Sequence, residues 1–114
     1  MKCVYVAGKL NDDAVGYINN LRQMFLIADE VRRAGYAVFV PGLDFLMGVT
    51  CGGWAYHDYF DNSQPWLDRA DAVYVGGANW RDSTGTIREI ERAKRNGIPV
   101  FFDLAEMVAA LPPQ

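Results

Sequence analysis

One stretch of the sequence gathers more reactive chemistry than the rest. Asp71-Ala72-Val73-Tyr74-Val75-Gly76-Gly77 runs into Ala78–Asp82 and then Ser83-Thr84-Gly85-Thr86-Ile87-Arg88-Glu89. An apolar, β-branched run ends, a polar loop follows, and a helix begins at a Ser-x-Gly turn with a glutamate one turn inside. Free N–H groups at such a helix start can hold a phosphate or sugar oxygen. A carboxylate beside them can act as nucleophile or base. Thr86-x-x-Glu89 is also the spacing of a capping box, in which the glutamate does no more than satisfy its own helix start. From spacing alone, the cap is the simpler reading.

The remaining residues offer little besides carboxylates. The 114 residues include a single histidine, His57, and two cysteines, Cys3 and Cys51. A zinc site needs about four ligands, usually in spaced pairs, and no such set exists, so neither a metal nor another cofactor is expected. Nothing near His57 resembles a nucleophile elbow. A lone imidazole among Trp54, Tyr56 and Tyr59 reads as a packed, hydrogen-bonded side chain before it reads as an acid–base partner of Asp58. Two cysteines make no disulfide framework and fit a reducing, cytoplasmic setting. Trp54, Tyr56 and Trp80 could stack on a nucleobase. Trp80 is the best placed because it lies in the strand-end loop, and core packing remains equally open for it. Asp44 sits where a dinucleotide fold carries its ribose-binding acid, but no Gly-x-Gly-x-x-Gly turn follows the first apolar run.

Bulk properties exclude other classes. Net charge is −3 without a basic cluster, so the footprint of a nucleic-acid polymer binder is missing. Apolar stretches are strand-sized, short of the roughly 20 residues that cross a bilayer, so no membrane partner is expected. Met1–Ala7 leads straight into Gly8-Lys9 with no leader-like apolar region or cleavage site, so an unprocessed chain is expected.

Four continuous apolar runs must position these residues: Cys3–Ala7, Ala37–Val40, Ala72–Val75 and Ile98–Phe102. They do not alternate with polar residues, as is usual for strands buried on both faces of a parallel sheet. Between them, Ile18, Leu21, Phe25, Ala28 and Val31 recur at helical steps before Gly35, and a second helix spans about Thr86 to Asn96 with Ile87, Ile90 and Ala93 inward. The segment from Val49 to Asp71 reads as a loop and broken helix, with a short helix from about Pro65 to Ala70. A final helix covers Leu104 to Leu111. The pattern predicts one domain over residues 1–114: a three-layer α/β/α fold with a four- or five-stranded parallel sheet, flavodoxin-like or Rossmann-like. Ligands of such sheets bind beyond the carboxyl ends of the strands, which directs attention to Gly8–Asp13, Pro41–Phe45 and Gly76–Gly85.

Three blocks carry a more specific likeness. Val4-Tyr5-Val6-Ala7-Gly8 forms the first. Trp66-Leu67-x-x-Ala70-Asp71-Ala72-Val73 forms the second. Ser83-x-Gly85-x-x-x-Glu89-x-x-x-Ala93, followed by Gly97-Ile98-Pro99-Val100, forms the third. In order and spacing the chain resembles the nucleoside 2-deoxyribosyltransferase superfamily, including its small phage and bacterial branches and the related deoxynucleoside 5′-monophosphate N-glycosidases. The resemblance implies that Glu89 is the nucleophile that attacks the anomeric carbon and forms a glycosyl-enzyme intermediate, in the manner of retaining glycosidases. It implies that Ser83 and Gly85 place sugar or phosphate oxygens, and that Gly8 leaves room for the ligand. The implied partner is a nucleoside or nucleotide, in a pocket completed by a second copy of the chain, as a homodimer or higher oligomer.

Two positions depart from the family. The aspartate that protonates the leaving base is replaced by Ser63, which cannot act as an acid near neutral pH. Asp61 or Asp58 could substitute only if the irregular segment presents one of them, and Ser63 otherwise reads as the cap of a helix beginning at Pro65. Lys9 stands where the family carries a proline; it could pair with a 5′-phosphate or simply be solvated. Transfer to a base, hydrolysis by water, and a non-catalytic nucleotide-binding domain that kept the crevice all remain open at this level.

Overall fold

The structure, a computed structural model, describes residues 1–114. Strands β1 (Cys3–Ala7), β2 (Ala37–Phe39), β3 (Ala72–Val75) and β4 (Val100–Phe101) form one sheet in the order β2-β1-β3-β4. All neighbours are parallel, with Val4 opposite Val38, Tyr5 opposite Val73 and Tyr74 opposite Phe101. The helices are α1 (Ala14–Arg33), α2 (Leu43–Cys51), α3 (Tyr56–Asp68), α4 (Thr84–Arg95) and α5 (Leu104–Ala110). A 3₁₀ turn at Trp80–Asp82 precedes α4. This is the flavodoxin-like α/β/α arrangement that the apolar runs predict, with four strands.

Alternation along β1 divides the core into two. Val4 and Val6 face one side, where Met24, Ala28 and Val31 of α1 and Met107 of α5 cover them. Tyr5 and Ala7 face the other side, against Leu67 of α3 and Ile90 and Ala93 of α4. A strand's two-residue period therefore sends Tyr5 under α4. The helices are capped as their sequences suggest: Asp13 accepts from the Gly16 N–H at 2.8 Å, and Asp103 accepts from the Glu106 N–H at 3.0 Å.

Three expectations change. In α1 the buried line runs through Met24, Ala28 and Val31, while Ile18 is 60% exposed. In α4 Thr86 replaces Ile87 on the inward face. The largest change concerns the loop and broken helix expected from Val49 to Asp71: α2 extends into it as far as Cys51, and one helix, α3, fills Tyr56–Asp68. Leu43, Leu46, Met47 and Val49 of α2 all point outward, so the helix shows no amphipathic signal. Gly52 and Gly53, both at positive φ (75° and 78°), make the turn into α3. That helix starts where the Asp58 carboxylate accepts from the Ala55 N–H at 2.7 Å, and it runs through Pro65 instead of beginning there. No helix is long and apolar enough to cross a membrane.

Candidate active site

The chain leaves β1 towards β2 on one side and later returns to β3 on the other. The carboxyl ends of β1 and β3 thus flank the point where the sheet order switches, where a crevice must open. A cleft of about 790 Å³ opens there. The β1 end supplies Gly8, Lys9 and Asp12, the β2–α2 side supplies Pro41, Asp44 and Phe45, α3 supplies Tyr59, Phe60, Ser63 and Gln64, and the start of α4 supplies Ser83, Gly85 and Glu89.

Glu89 is the chemical centre of this cleft. It shares the inward face of α4 with Thr86, Ile90 and Ala93, and its carboxylate Oε2 accepts a hydrogen bond from the Tyr5 hydroxyl. Protein encloses the carboxyl on most sides and leaves part of it open to the cleft. Burial, which penalises the charged form, raises its pKa to about 7, against the opposing pull of hydrogen bonds from Tyr5 and Gln64. Tyr5 is held protonated well above its usual range by burial first, then by the charge and hydrogen bond of Glu89, and last by the charge of Asp44; a Ser63 hydrogen bond opposes them.

The capping-box reading of Glu89 does not describe this geometry. The N-cap is Ser83, whose Oγ accepts from the Thr86 N–H at 3.2 Å and from the Thr86 hydroxyl at 2.9 Å. The cap lies three residues before Thr86, which frees Glu89 to turn towards the sheet. The first N–H groups of α4, at Thr84 and Gly85, have no acceptor within the helix by position, and both residues line the cleft.

Ser63 and Gln64 form the facing wall. Ser63 is no cap but a buried interior residue of α3, and the Gln64 amide nitrogen donates to its Oγ at 3.3 Å. The Gln64 carbonyl oxygen is buried without a partner. Asp44, on the first turn of α2, is 8% exposed and its Oδ2 accepts from Asn62 Nδ2 at 3.2 Å. Aromatic side chains gather beside it, with the Tyr17 and Phe45 rings 4.9 Å apart.

The structure thus brings Gly8, Lys9, Ser63, Ser83, Gly85 and Glu89 to one cleft and leaves Asp61, Asp58, His57 and Trp80 outside it. Asp61 is exposed because residues 60, 63, 64 and 67 form the inward stripe of α3 and position 61 falls off it. Asp58 serves as the α3 cap, and His57, with 73% of its side chain exposed, pairs with it at 3.3 Å instead of packing. Trp80 goes to packing: its ring lies 5.0 Å from Phe102, with the Arg81 guanidinium 4.5 Å over it. At Gly8 an added Cβ would collide with the Met24 side chain and lie 3.0 Å from the Gly76 carbonyl oxygen. Its small size therefore serves the approach of β1 to α1 and β3. Tyr5, Gln64 and Asp44 are the additions. A tyrosine inside a fully buried strand was the available signal for the first, because a buried hydroxyl needs a partner.

A family model described as a domain of unknown function (DUF4406) matches residues 2–102. No curated protein matches the sequence. Among solved structures, a 2-deoxyribosyltransferase from the psychrotolerant bacterium Bacillus psychrosaccharolyticus, a biocatalyst for nucleoside synthesis, is similar at 25% identity and a TM-score of 0.66. The alignment covers 86% of this chain and 69% of that one.

Proposed function

The chain belongs to the DUF4406 family, and on that footing we propose that it cleaves or transfers the N-glycosidic bond of a nucleoside through Glu89. One observation carries the reading: a half-enclosed carboxylate, held by a buried tyrosine, opens into a nucleoside-sized cleft at the switch point of a sheet whose fold is shared with a 2-deoxyribosyltransferase.

In this reading the sugar lies over the start of α4, where the Thr84 and Gly85 N–H groups and Ser83 meet its oxygens. Tyr5 holds Oε2 of Glu89, and Oε1 attacks the anomeric carbon as the bond to the base nitrogen breaks. The bonding electrons leave with the base, which takes up a proton. An acceptor base or water then attacks the same carbon, gives up a proton, and releases Glu89 as a carboxylate. Charge favours an unphosphorylated substrate: Asp12, Asp44 and Asp82 line the cleft beside Glu89, and Lys9 is the one cation among its lining residues.

Incubation with deoxynucleosides and their 5′-monophosphates, with and without an acceptor base, tests this. Transfer or hydrolysis that is lost in Glu89→Ala is expected. Activity that survives Glu89→Ala refutes the nucleophile assignment. Ligand-dependent thermal stabilisation without turnover assigns a binding domain instead. Assembly with a second copy belongs to the same proposal, since Val15, Ile18, Leu43 and Leu46 expose apolar area on α1 and α2. A sedimentation mass of one chain would count against it.

A further inference from the structure

The glycosidic reading leaves one proton unaccounted for. A departing nucleobase carries the bonding electrons on a ring nitrogen and leaves slowly unless it is protonated. Ser63 has no acid to give, and Asp58 and Asp61 lie outside the cleft. Four carboxyl groups line it: Asp12, Asp44, Asp82 and Glu89. Asp12 and Asp82 are exposed at the rim, and Asp12 is further occupied in accepting from the Asp13 N–H at 2.8 Å. Asp44 alone is buried in the wall that faces Glu89.

Topology assigns that wall to the base. Glu89 and the sugar-facing N–H groups come from the β3–α4 side of the crevice, whereas Asp44 comes from the β2–α2 side, across β1. A sugar seated over α4 with its anomeric carbon at Glu89 directs its base towards α2. There Tyr17, Phe45, Tyr59 and Phe60 offer ring faces for stacking. Asn62 Nδ2 donates to Oδ2 of Asp44 at 3.2 Å. The other groups that share this corner are Tyr17 and, deeper, Tyr5. Burial first of all keeps both phenols protonated, so neither competes as the stronger acid.

We infer that Asp44 is the proton donor to the leaving base, in the role that Ser63 cannot fill; this rests on the glycosidic reading of Glu89. In the first step Oε1 of Glu89 bonds to the anomeric carbon and the carbon–nitrogen bond breaks. The electron pair goes to the base nitrogen, and the proton of Asp44 Oδ1 follows it. The negative charge thus moves from Glu89 to Asp44. In the second step Asp44 takes a proton from the incoming base or water as Glu89 is released.

Leaving-group chemistry tests the assignment. The unaltered chain, Asp44→Asn and Glu89→Ala are compared on 2′-deoxyinosine, whose base must be protonated to leave, and on 7-methyl-2′-deoxyguanosine, whose cationic base leaves without a proton. Asp44→Asn should lower turnover of deoxyinosine by about 10²–10⁴-fold and leave the methylated substrate within about tenfold. Equal loss on both substrates, or no loss on deoxyinosine, overturns the role of Asp44 while the Glu89 reading stands. No turnover by the unaltered chain, or turnover that survives Glu89→Ala, overturns the glycosidic reading and the role of Asp44 with it. Should Asp44→Asn fail to fold, Asp44→Ser is read on the same two substrates.

Discussion

Replacing Glu89 with glutamine removes the proposed nucleophile, and it should also make the protein more stable in alkaline solution. The carboxyl has a pKa of about 7 in the folded chain against 4.5 for the free side chain. The folded state therefore binds this proton more tightly than the unfolded state does. Its stabilising contribution is complete below the unfolded pKa and is lost as pH climbs through 7. A tenfold difference in proton affinity is worth about 1.4 kcal/mol, so ionisation costs the fold about 3 kcal/mol by pH 8. Contact with cleft water trims this to about 2 kcal/mol. Glutamine keeps an oxygen for the Tyr5 hydroxyl and has nothing to ionise. Urea unfolding at pH 5 and pH 8 reads the difference: the advantage of Glu89→Gln should grow by about 2 kcal/mol between the two, or roughly 8 °C in Tm. Parallel pH–stability curves for the two proteins would refute the claim that burial holds this carboxyl protonated.

Tyr5→Phe removes the donor to Glu89, so the pH at which activity rises should move up from about 7 by roughly one unit, the worth of one charge-assisted hydrogen bond; an unmoved midpoint in the pH–rate profile contradicts the coupling. A deoxynucleoside 5′-monophosphate should show KM roughly tenfold above its nucleoside at low salt, with the gap narrowing as salt screens the acidic cleft; equal KM values would place the phosphate away from these carboxylates. Asp68→Ala breaks the double hydrogen bond from Arg92 (2.7 and 2.6 Å) that ties α3 to α4, at a cost of about 1 kcal/mol by urea unfolding. The Arg92 hydrogen bond, ahead of the other causes, lowers the pKa of Asp68, so this cost should persist at neutral pH and disappear as acid titrates the carboxyl.

The sheet was legible because buried parallel strands read as unbroken apolar runs; Glu89 drew notice at a helix start after a strand, but its spacing favoured a cap and only the family resemblance singled it out. The second half of the cleft was not legible. Its α2 helix exposes its leucines and buries an aspartate, the reverse of the pattern that identifies a surface helix, so Asp44 read only as an acid just after the second strand. Pro65 read as a helix start because proline is favoured there, which turned Ser63 into a cap when it is an inward residue of a longer helix. Tyr5 read as strand filler, since its importance lies in a contact with a residue 84 positions away that no local window contains.

Pro65 has one more consequence. Without an N–H it cannot close the backbone hydrogen bond to residue 61, so the ladder of α3 is interrupted between the turn that carries Tyr59 and the turn that Asp68 fastens to α4. With the Gly52-Gly53 turn at the other end, residues 54–64 form a cassette bounded by two weak joints. Its cleft-lining aromatic side chains, Tyr56, Tyr59 and Phe60, stand apart from the hydrogen bond between Tyr5 and Glu89. Substitutions at those three positions would then reshape what the cleft admits while the sheet and the Tyr5–Glu89 pair stay as they are.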